Sequence, residues 1–121
     1  MRYMLLIHDD EQLWGKMTDA ERGAMFGEYG QFTAAIQASG HFQTGAQLQP
    51  SSTSTTVRLR DGKRMVTDGP FAETREQLAG YYLIDAKDLD EALAIAARIP
   101  SAKIGTIEVR PVVHTSVPAT A

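Results

Sequence analysis

Two short segments of this chain are apolar on both faces of an extended strand, and they limit its fold more than any other feature. Residues 3–7 (Tyr-Met-Leu-Leu-Ile) and residues 81–84 (Tyr-Tyr-Leu-Ile) carry apolar side chains at odd and even positions alike. Strands with two apolar faces lie in the middle of a sheet that is covered on both sides. We therefore expect the two segments to be the central strands of one sheet.

Two amphipathic helices are predicted, one before and one after the second of these strands. The first begins at the capping box Thr18-Asp19-Ala20-Glu21 and ends near Gly40, which tolerates the left-handed turn that closes a helix. The second begins at Asp88 and ends before Pro100, which cannot continue a helix. Their apolar stripes are Met25, Tyr29, Phe32 and Ile36 in the first helix, and Leu89, Ala92, Leu93, Ala96 and Ile99 in the second.

A β-hairpin is predicted in the middle of the chain. Asp61-Gly62 is a strong two-residue turn signal between residues 54–60 and 63–67. Val57 and Leu59 alternate with polar neighbours, so we expect the hairpin to show one face to water.

The order of the predicted elements defines the fold. Weaker strands are expected at residues 41–48 and 106–113, the latter at a sheet edge or a bulge because of Pro111. The chain then runs strand, helix, strand, inserted hairpin, strand, helix, strand. This order predicts an α+β fold, the ferredoxin-like split βαβ unit with the first and third main strands in the centre.

Two helices can cover only one face of such a sheet, so its other apolar face needs a second cover. Each apolar side chain left in water costs about 1.5–3 kcal/mol relative to burial. A second copy of the chain packed face to face would bury this surface, and the sequence therefore predicts a homodimer.

Composition narrows the classes of function. The 121 residues predict one domain, residues 1–114, followed by a flexible tail at residues 115–121. A net charge of −3 gives no electrostatic reason to expect a nucleic-acid partner. The chain has no cysteine, which excludes thiolate chemistry and fits a cytoplasmic location. No apolar run approaches the roughly 18 residues of a membrane helix, so no membrane association is expected.

The end of the first strand carries the first candidate site residues, His8 and Asp9. The pleat of a strand sends them to opposite faces, His8 with Leu6 and Asp9 with Ile7. A carboxylate beside apolar walls at the end of a central strand has a raised pKa and is suited to act as a base. The alternative is that both residues belong to a hydrated loop.

A second group of candidates precedes the second central strand. Asp68 begins the turn Asp68-Gly69-Pro70, where its carboxylate can accept hydrogen bonds from backbone amides. The alternative is that the turn is only a rigid corner. Phe71 is interpreted as a core residue. Arg75 is a candidate for holding an anionic substrate by a two-pronged contact, although a solvated position is the simpler alternative.

Tyrosines on the central strand are further candidates. Tyr81 and Tyr82 point in opposite directions, so one lies under the helices and the other faces the partner or a cavity, where its hydroxyl can position a substrate. Core packing is the alternative for both. The three histidines show no metal-ligand spacing, and no phosphate-binding loop or nucleophile elbow is present, so neither a metal nor another cofactor is predicted.

Residues 68–84 have the sequence Asp-Gly-Pro-Phe, then Ala-Glu-Thr-Arg-Glu-Gln-Leu and, after Ala79, Gly-Tyr-Tyr-Leu-Ile. This segment closely resembles the DGPF branch of the YCII-related family. Shorter similarities extend over nearly the whole chain, at residues 3–7, 56–58, 61–62, 88–92, 97–100 and 107–111. The resemblance implies a ferredoxin-like unit that dimerises as in the dimeric α+β barrel superfamily, which includes muconolactone isomerase and small monooxygenases.

The resemblance also bears on the site. The wider family has a suggested active-site pair of a histidine and an aspartate; the aspartate matches Asp9, whereas Tyr29 stands where the family has the histidine. Two hypotheses follow. In the first, the protein is a small cofactor-free enzyme that performs acid–base chemistry on a small polar metabolite, with Asp9, Tyr29 and Asp68 in proton transfer. In the second, it is a non-catalytic ligand-sensing module associated with extracytoplasmic-function sigma factors, beside which members of this branch are found.

Overall fold

A computed structural model describes residues 1–114, and the predicted tail at residues 115–121 lies outside the described residues. The helices and strands are, in chain order, β1 (Arg2–Asp9), α1 (Glu11–Lys16), α2 (Asp19–Ala38), β2 (Phe42–Gln47), β3 (Thr55–Arg60), β4 (Lys63–Asp68), β5 (Gln77–Asp85), α3 (Leu89–Ala96) and β6 (Thr106–Pro111). Two 3-10 turns, Ser51–Thr53 and Pro100–Lys103, lie in the connections.

The main sheet has four antiparallel strands in the order β2-β5-β1-β6. The two strands that are apolar on both faces, β1 and β5, are the central pair, with Leu5 opposite Tyr82. Pro111 ends β6, an edge strand, where a missing amide costs no ladder hydrogen bond. The predicted α+β, ferredoxin-like fold is therefore confirmed.

The core lies between one face of this sheet and helices α2 and α3. Alternate residues of the central strands point into it because a strand turns successive side chains to opposite faces. The buried side chains are Tyr3, Leu5 and Ile7 of β1, Tyr82 and Ile84 of β5, Phe32 and Ile36 of α2, and Ala92, Ile95 and Ala96 of α3. Phe32 meets Tyr82 edge to face at 5.3 Å between ring centroids.

The predicted start of α2 is confirmed. The Thr18 hydroxyl accepts from the Glu21 amide at 3.1 Å, and the Thr18 amide donates to the Glu21 carboxylate at 2.9 Å. Arg22 of the same turn donates to the carbonyl oxygen of Met17 at 2.6 Å and to that of Trp14 at 3.3 Å. These bonds hold α1 against α2, and the Trp14 ring packs against Phe26 at 5.8 Å between ring centroids.

The predicted apolar stripe of α3 needs correction. Leu89 and Leu93 are 48% and 46% exposed, whereas Ala92, Ala96 and Ile99 are buried as predicted, together with Ile95. After Asp90 and Glu91 in its first turn, every residue of this short helix is apolar or small, so the sequence pattern alone does not determine its rotation about the helix axis.

One face of the main sheet is packed less well than the other. In β1 the residues that alternate with the buried ones, Met4 and Leu6, remain partly exposed, as do Tyr81 and Leu83 of β5. Their cross-strand partners are each other, Met4 opposite Leu83 and Leu6 opposite Tyr81. We call these four residues the open sheet face. Among residues 1–114, no helix is both long and apolar enough to cross a bilayer.

The hairpin formed by β3 and β4 is a separate two-stranded sheet. Its turn is as predicted, with positive φ at Asp61 (51°) and Gly62 (73°). The expectation that only one face meets water is wrong for the single chain, because Val57 and Leu59 are 64% and 67% exposed. The alternating pattern identifies an apolar face but does not show whether another surface of the same chain covers it.

Phe71, which follows the hairpin, is 81% exposed, so its interpretation as a core residue is also wrong in the single chain.

Candidate functional site

A cavity of about 690 Å³ lies between helices α1 and α2 and the β2–β5 side of the sheet. This volume falls within the range of about 300–1,000 Å³ that small-molecule sites occupy. Its wall is largely aromatic and aliphatic, with Trp14, Phe26, Phe42, Leu48 and Tyr82 among the lining residues. Polar side chains also line it, among them Glu11, Arg22, Gln47 and Gln49, and Asp9 is the most deeply buried acid of the lining.

Asp9 lies at the end of β1, on the helix-covered face, and is 4% exposed. The Ser101 hydroxyl donates to Asp9 Oδ2 at 2.9 Å. Ser101 belongs to the Pro100–Lys103 turn and is itself fully buried. The turn can approach this closely because Gly105 follows it: a Cβ at that position would lie 2.6 Å from Asp9 Oδ1 and would also contact the carbonyl oxygen of His8.

Tyr29 extends the chain of polar groups toward the middle of α2. Its hydroxyl oxygen lies 2.5 Å from Ser101 Oγ, and its ring lines the cavity. Tyr29 and Asp9, from a helix and a strand far apart in sequence, are therefore connected through one serine. The sequence pattern does not identify Ser101, because a serine after a helix-ending proline has no pattern of its own. Only the fold shows that the turn before β6 returns to the end of β1.

Burial raises the pKa of Asp9 above its ordinary value of 3.8. The hydrogen bond from Ser101 and the nearby Trp14 indole act in the opposite direction, while the charge of Glu76 raises the pKa further and His8 lowers it. The raised pKa was predicted from the position of Asp9 on the strand. Such a carboxyl group accepts and releases protons closer to neutral pH than an exposed one.

The Trp14 indole is close to Asp9 without completing a hydrogen bond. Although it lowers the pKa of Asp9, Trp14 Nε1 and Asp9 Oδ1 are both buried and neither meets a partner within good hydrogen-bonding geometry. Distance and angle decide whether a hydrogen bond forms, and by that criterion both atoms are unpaired. A buried donor and a buried acceptor that both lack a partner cost free energy, and such groups are uncommon in native structures.

A second hydroxyl pair lies in the same cavity. The Tyr82 and Thr33 hydroxyl oxygens are 2.7 Å apart, and both residues line the cavity. The Tyr82 ring lies against Gly45, where a Cβ would be only 2.8 Å from Tyr82 Cδ1. Unlike Tyr29, Tyr82 has no link to a carboxylate in the hydrogen bonds of residues 1–114, which makes it a natural comparison.

The loop before β3 is held over the cavity by Glu11. The Glu11 carboxylate accepts from the Ser51 amide at 2.7 Å and from the Ser51 hydroxyl at 3.0 Å. The Glu11 amide in turn donates to Gln77 Oε1 at 3.0 Å. These bonds place Pro50 in the cavity wall.

The remaining predicted site residues lie elsewhere. Asp68 ends β4 opposite Thr55, in the separate hairpin, and is not part of the cavity lining. Arg75 is exposed in the loop before β5 and does not line the cavity either. A single chain thus brings Asp9 and Tyr29 together but not Asp68, and Arg75 is not placed to hold an anion there.

His8 belongs to the other side of the sheet, whereas Tyr81 is among the residues that line the cavity. The pleat separates His8 from Asp9 as predicted, and His8 Nε2 lies 3.2 Å from Glu108 Oε1. Tyr81 alternates with the buried Tyr82 and pairs with Leu6 on the open sheet face. Among the described residues, no three His, Asp or Glu side chains converge as metal ligands would.

The structure is that of a small α+β domain of ferredoxin-like topology with a cavity between its helices and its sheet. The chain belongs to the YCII-related domain family, whose model matches residues 1–116. It is 36% identical over 113 residues to the uncharacterised protein R00369 of Rhizobium meliloti (strain 1021), an alignment that covers 92% of this chain and 91% of that protein. The assignment to the DGPF branch stays a prediction.

Proposed function

We propose that this protein is a small acid–base enzyme that transfers a proton to and from a molecule bound in the cavity, with Asp9 as the base. The observation that carries the proposal is a buried carboxyl group with a raised pKa at an aromatic-walled cavity. Apolar surroundings commonly tune an acid in this way for catalysis near neutral pH. Isomerisation, elimination or hydrolysis by proton transfer alone would need no cofactor.

The lining favours a neutral, largely apolar substrate over the small polar metabolite predicted from sequence. Arg22 is the one cationic side chain among the described residues that line the cavity, and its guanidinium already donates to Met17 O and to Asp19 Oδ1, both at 2.6 Å. An anion would therefore meet the charge of Asp9 with little compensation, at a cost that grows as the dielectric constant falls. A flat neutral molecule fits the aromatic wall.

Deuterium exchange at an acidic C–H bond tests this proposal without knowledge of the natural substrate. We suggest 2-indanone, a neutral bicyclic ketone, incubated with the protein in D2O and followed by proton NMR. We expect the protein to accelerate exchange and Asp9→Asn to reduce the acceleration by about 10²–10⁴-fold. Asp10→Asn is the matched control, because Asp10 caps α1 through the Gln12 amide and asparagine caps equally well. Exchange no faster with the wild type than with Asp9→Asn would reject the catalytic proposal.

A second candidate function is ligand sensing without catalysis, in association with an extracytoplasmic-function sigma factor. It is favoured by the shielding of Asp9 and by the pKa of Tyr29, which burial raises to about 12 and which makes the phenol a poor base by itself. In that case 2-indanone would raise the melting temperature of the wild type and of Asp9→Asn alike, with no exchange by either protein.

We further propose that the protein works as a homodimer assembled through the open sheet face. Met4, Leu6, Tyr81 and Leu83 are apolar and only partly buried in one chain. Burying them against a second copy would stabilise the assembly by the usual transfer of apolar surface from water.

A further inference from the structure

The carboxylate oxygens of Asp9 are poorly placed to meet a ligand directly. Oδ1 is shielded from solvent, and Oδ2 already accepts the hydrogen bond from Ser101. Ser101 is fully buried and does not line the cavity. Tyr29, which is only partly buried and does line it, is the member of this chain of groups that a bound molecule can contact.

We propose that Tyr29, Ser101 and Asp9 form a proton relay in which Tyr29 exchanges the proton with the ligand and Asp9 stores it. The inference deepens the proposed function and rests on it. Two distances support the relay: 2.5 Å from the Tyr29 hydroxyl oxygen to Ser101 Oγ, and 2.9 Å from Ser101 Oγ to Asp9 Oδ2. Both distances allow a proton to be handed along a hydrogen bond.

The direction of the hydrogen bonds follows from the donors available. A serine hydroxyl has one proton and two acceptor positions. When Asp9 is ionised, that proton is donated to Oδ2, so Ser101 Oγ accepts from the Tyr29 O–H group. The remaining lone pair of the Tyr29 oxygen is then free to receive a proton from the ligand.

The transfer is balanced at every atom. A C–H or O–H bond of the ligand breaks and a new O–H bond forms at Tyr29, while the earlier Tyr29 proton moves to Ser101 and the Ser101 proton moves to Asp9 Oδ2. The ligand gains one negative charge and Asp9 loses one. Tyr29 never becomes a phenolate, so its high pKa is no obstacle, and return of the proton to another ligand atom completes an isomerisation.

Titration of Asp9 in the ligand-free, full-length protein tests the connection. Carbon-13 NMR of the Asp9 side-chain carboxyl group should show a rise in pKa of about one pH unit in Ser101→Ala, because the charged form loses a hydrogen bond. Tyr29→Phe should cause a smaller rise, because Ser101 loses the donor that polarises it, and the double variant should match Ser101→Ala. The charges of Glu76 and His8, and the Trp14 indole, also act on Asp9 but are common to all variants.

Tyr82→Phe is the control, since it removes a phenol hydroxyl bonded to Thr33 in the same cavity. It should leave the Asp9 titration unchanged. If Tyr29→Phe leaves the titration unchanged, or if Tyr82→Phe moves it equally, the relay is rejected. Tyr29→Phe keeps the ring that packs in the cavity, so it tests the connection even if Ser101→Ala does not fold.

The exchange of 2-indanone separates the relay from the proposed function. The relay predicts at least a tenfold loss of exchange in Ser101→Ala and in Tyr29→Phe. Tyr3→Phe, which removes a phenol hydroxyl outside the cavity lining, should stay near the wild-type rate. A wild-type rate in Ser101→Ala together with loss in Asp9→Asn would show that Asp9 takes the proton directly; the relay would be wrong and the enzyme proposal would stand. Equal rates in the wild type and Asp9→Asn would reject the enzyme proposal, while the titration would still decide whether the three groups are coupled.

Discussion

The packing around Asp9 requires that Gly105 has no side chain. A Cβ there would lie 2.6 Å from Asp9 Oδ1 and would contact the His8 carbonyl oxygen, which is backbone and cannot turn away. We expect Gly105→Ala to lower the free energy of unfolding in urea by about 1–3 kcal/mol. In Gly23→Ala, where a Cβ meets nothing within 4 Å, the higher helix propensity of alanine should instead raise it by up to about 1 kcal/mol. Equal effects of the two substitutions would contradict the packing at Gly105.

Asp9 should make the protein relatively more stable in acid. Its pKa is raised in the folded state above the ordinary value of 3.8, so folding favours the protonated form. This contribution is fully present below pH 3.8 and is lost as the pH rises through the folded-state pKa. The difference in free energy of unfolding between the wild type and Asp9→Asn should therefore favour the wild type most at low pH and decline as the pH rises.

The free energy of unfolding of the wild type must be compared with that of Asp9→Asn, because other acids change the pH dependence of stability in the opposite direction. The pKa values of Glu91 and Glu108 are lowered, the first by the Lys87 amide and the second by Arg110. Both contributions are the same in the wild type and the variant and cancel in the difference. A difference that is independent of pH between 3 and 8 would contradict the raised pKa.

The sequence predicts the individual site residues unequally. The raised pKa of Asp9 follows from its place at the end of an apolar central strand, which is a local property of the chain. The residue pattern shows Tyr29 only as one member of a helix stripe, and the family resemblance makes it a candidate. Ser101 is not identified by either, because its bonds to Asp9 and Tyr29 depend on how a turn packs in three dimensions. Local patterns identify candidates, whereas tertiary contacts decide which of them meet.

The short helix α1 and the loop before β3 act together at the rim of the cavity. The two bonds from Ser51 to the Glu11 carboxylate are charge-assisted and should contribute about 1.5–3 kcal/mol. We expect Glu11→Ala to speed hydrogen exchange of the Ser51 amide by about tenfold or more. Gln12→Ala, at the next and exposed position of α1, should leave that amide unchanged. Unchanged Ser51 exchange in Glu11→Ala would mean that the loop is held by other contacts.

At the scale of elements, the strongest sequence signals gave correct positions. The two strands that are apolar on both faces are the central pair, and the capping box begins α2 where predicted. The hairpin turn was also predicted, but the surroundings of the hairpin and of Phe71 were not. A turn is determined by the residues within it, whereas the burial of a hairpin depends on a surface supplied by distant residues or by another chain.

The open sheet face gives the prediction for the molecule as a whole. The two central strands are apolar on both faces, but the helices pack on only one face of the sheet. The residues of the other face are therefore only partly buried: Met4, Leu6, Tyr81 and Leu83. We expect sedimentation equilibrium at micromolar concentration to give twice the chain mass of 13.2 kDa. Leu6→Lys should give a monomer, because a face-to-face dimer would bury the charge without a partner. Leu93→Lys, at a 46% exposed position of α3, should remain dimeric. A wild-type mass of one chain, or equal masses for the two variants, would contradict assembly through this face.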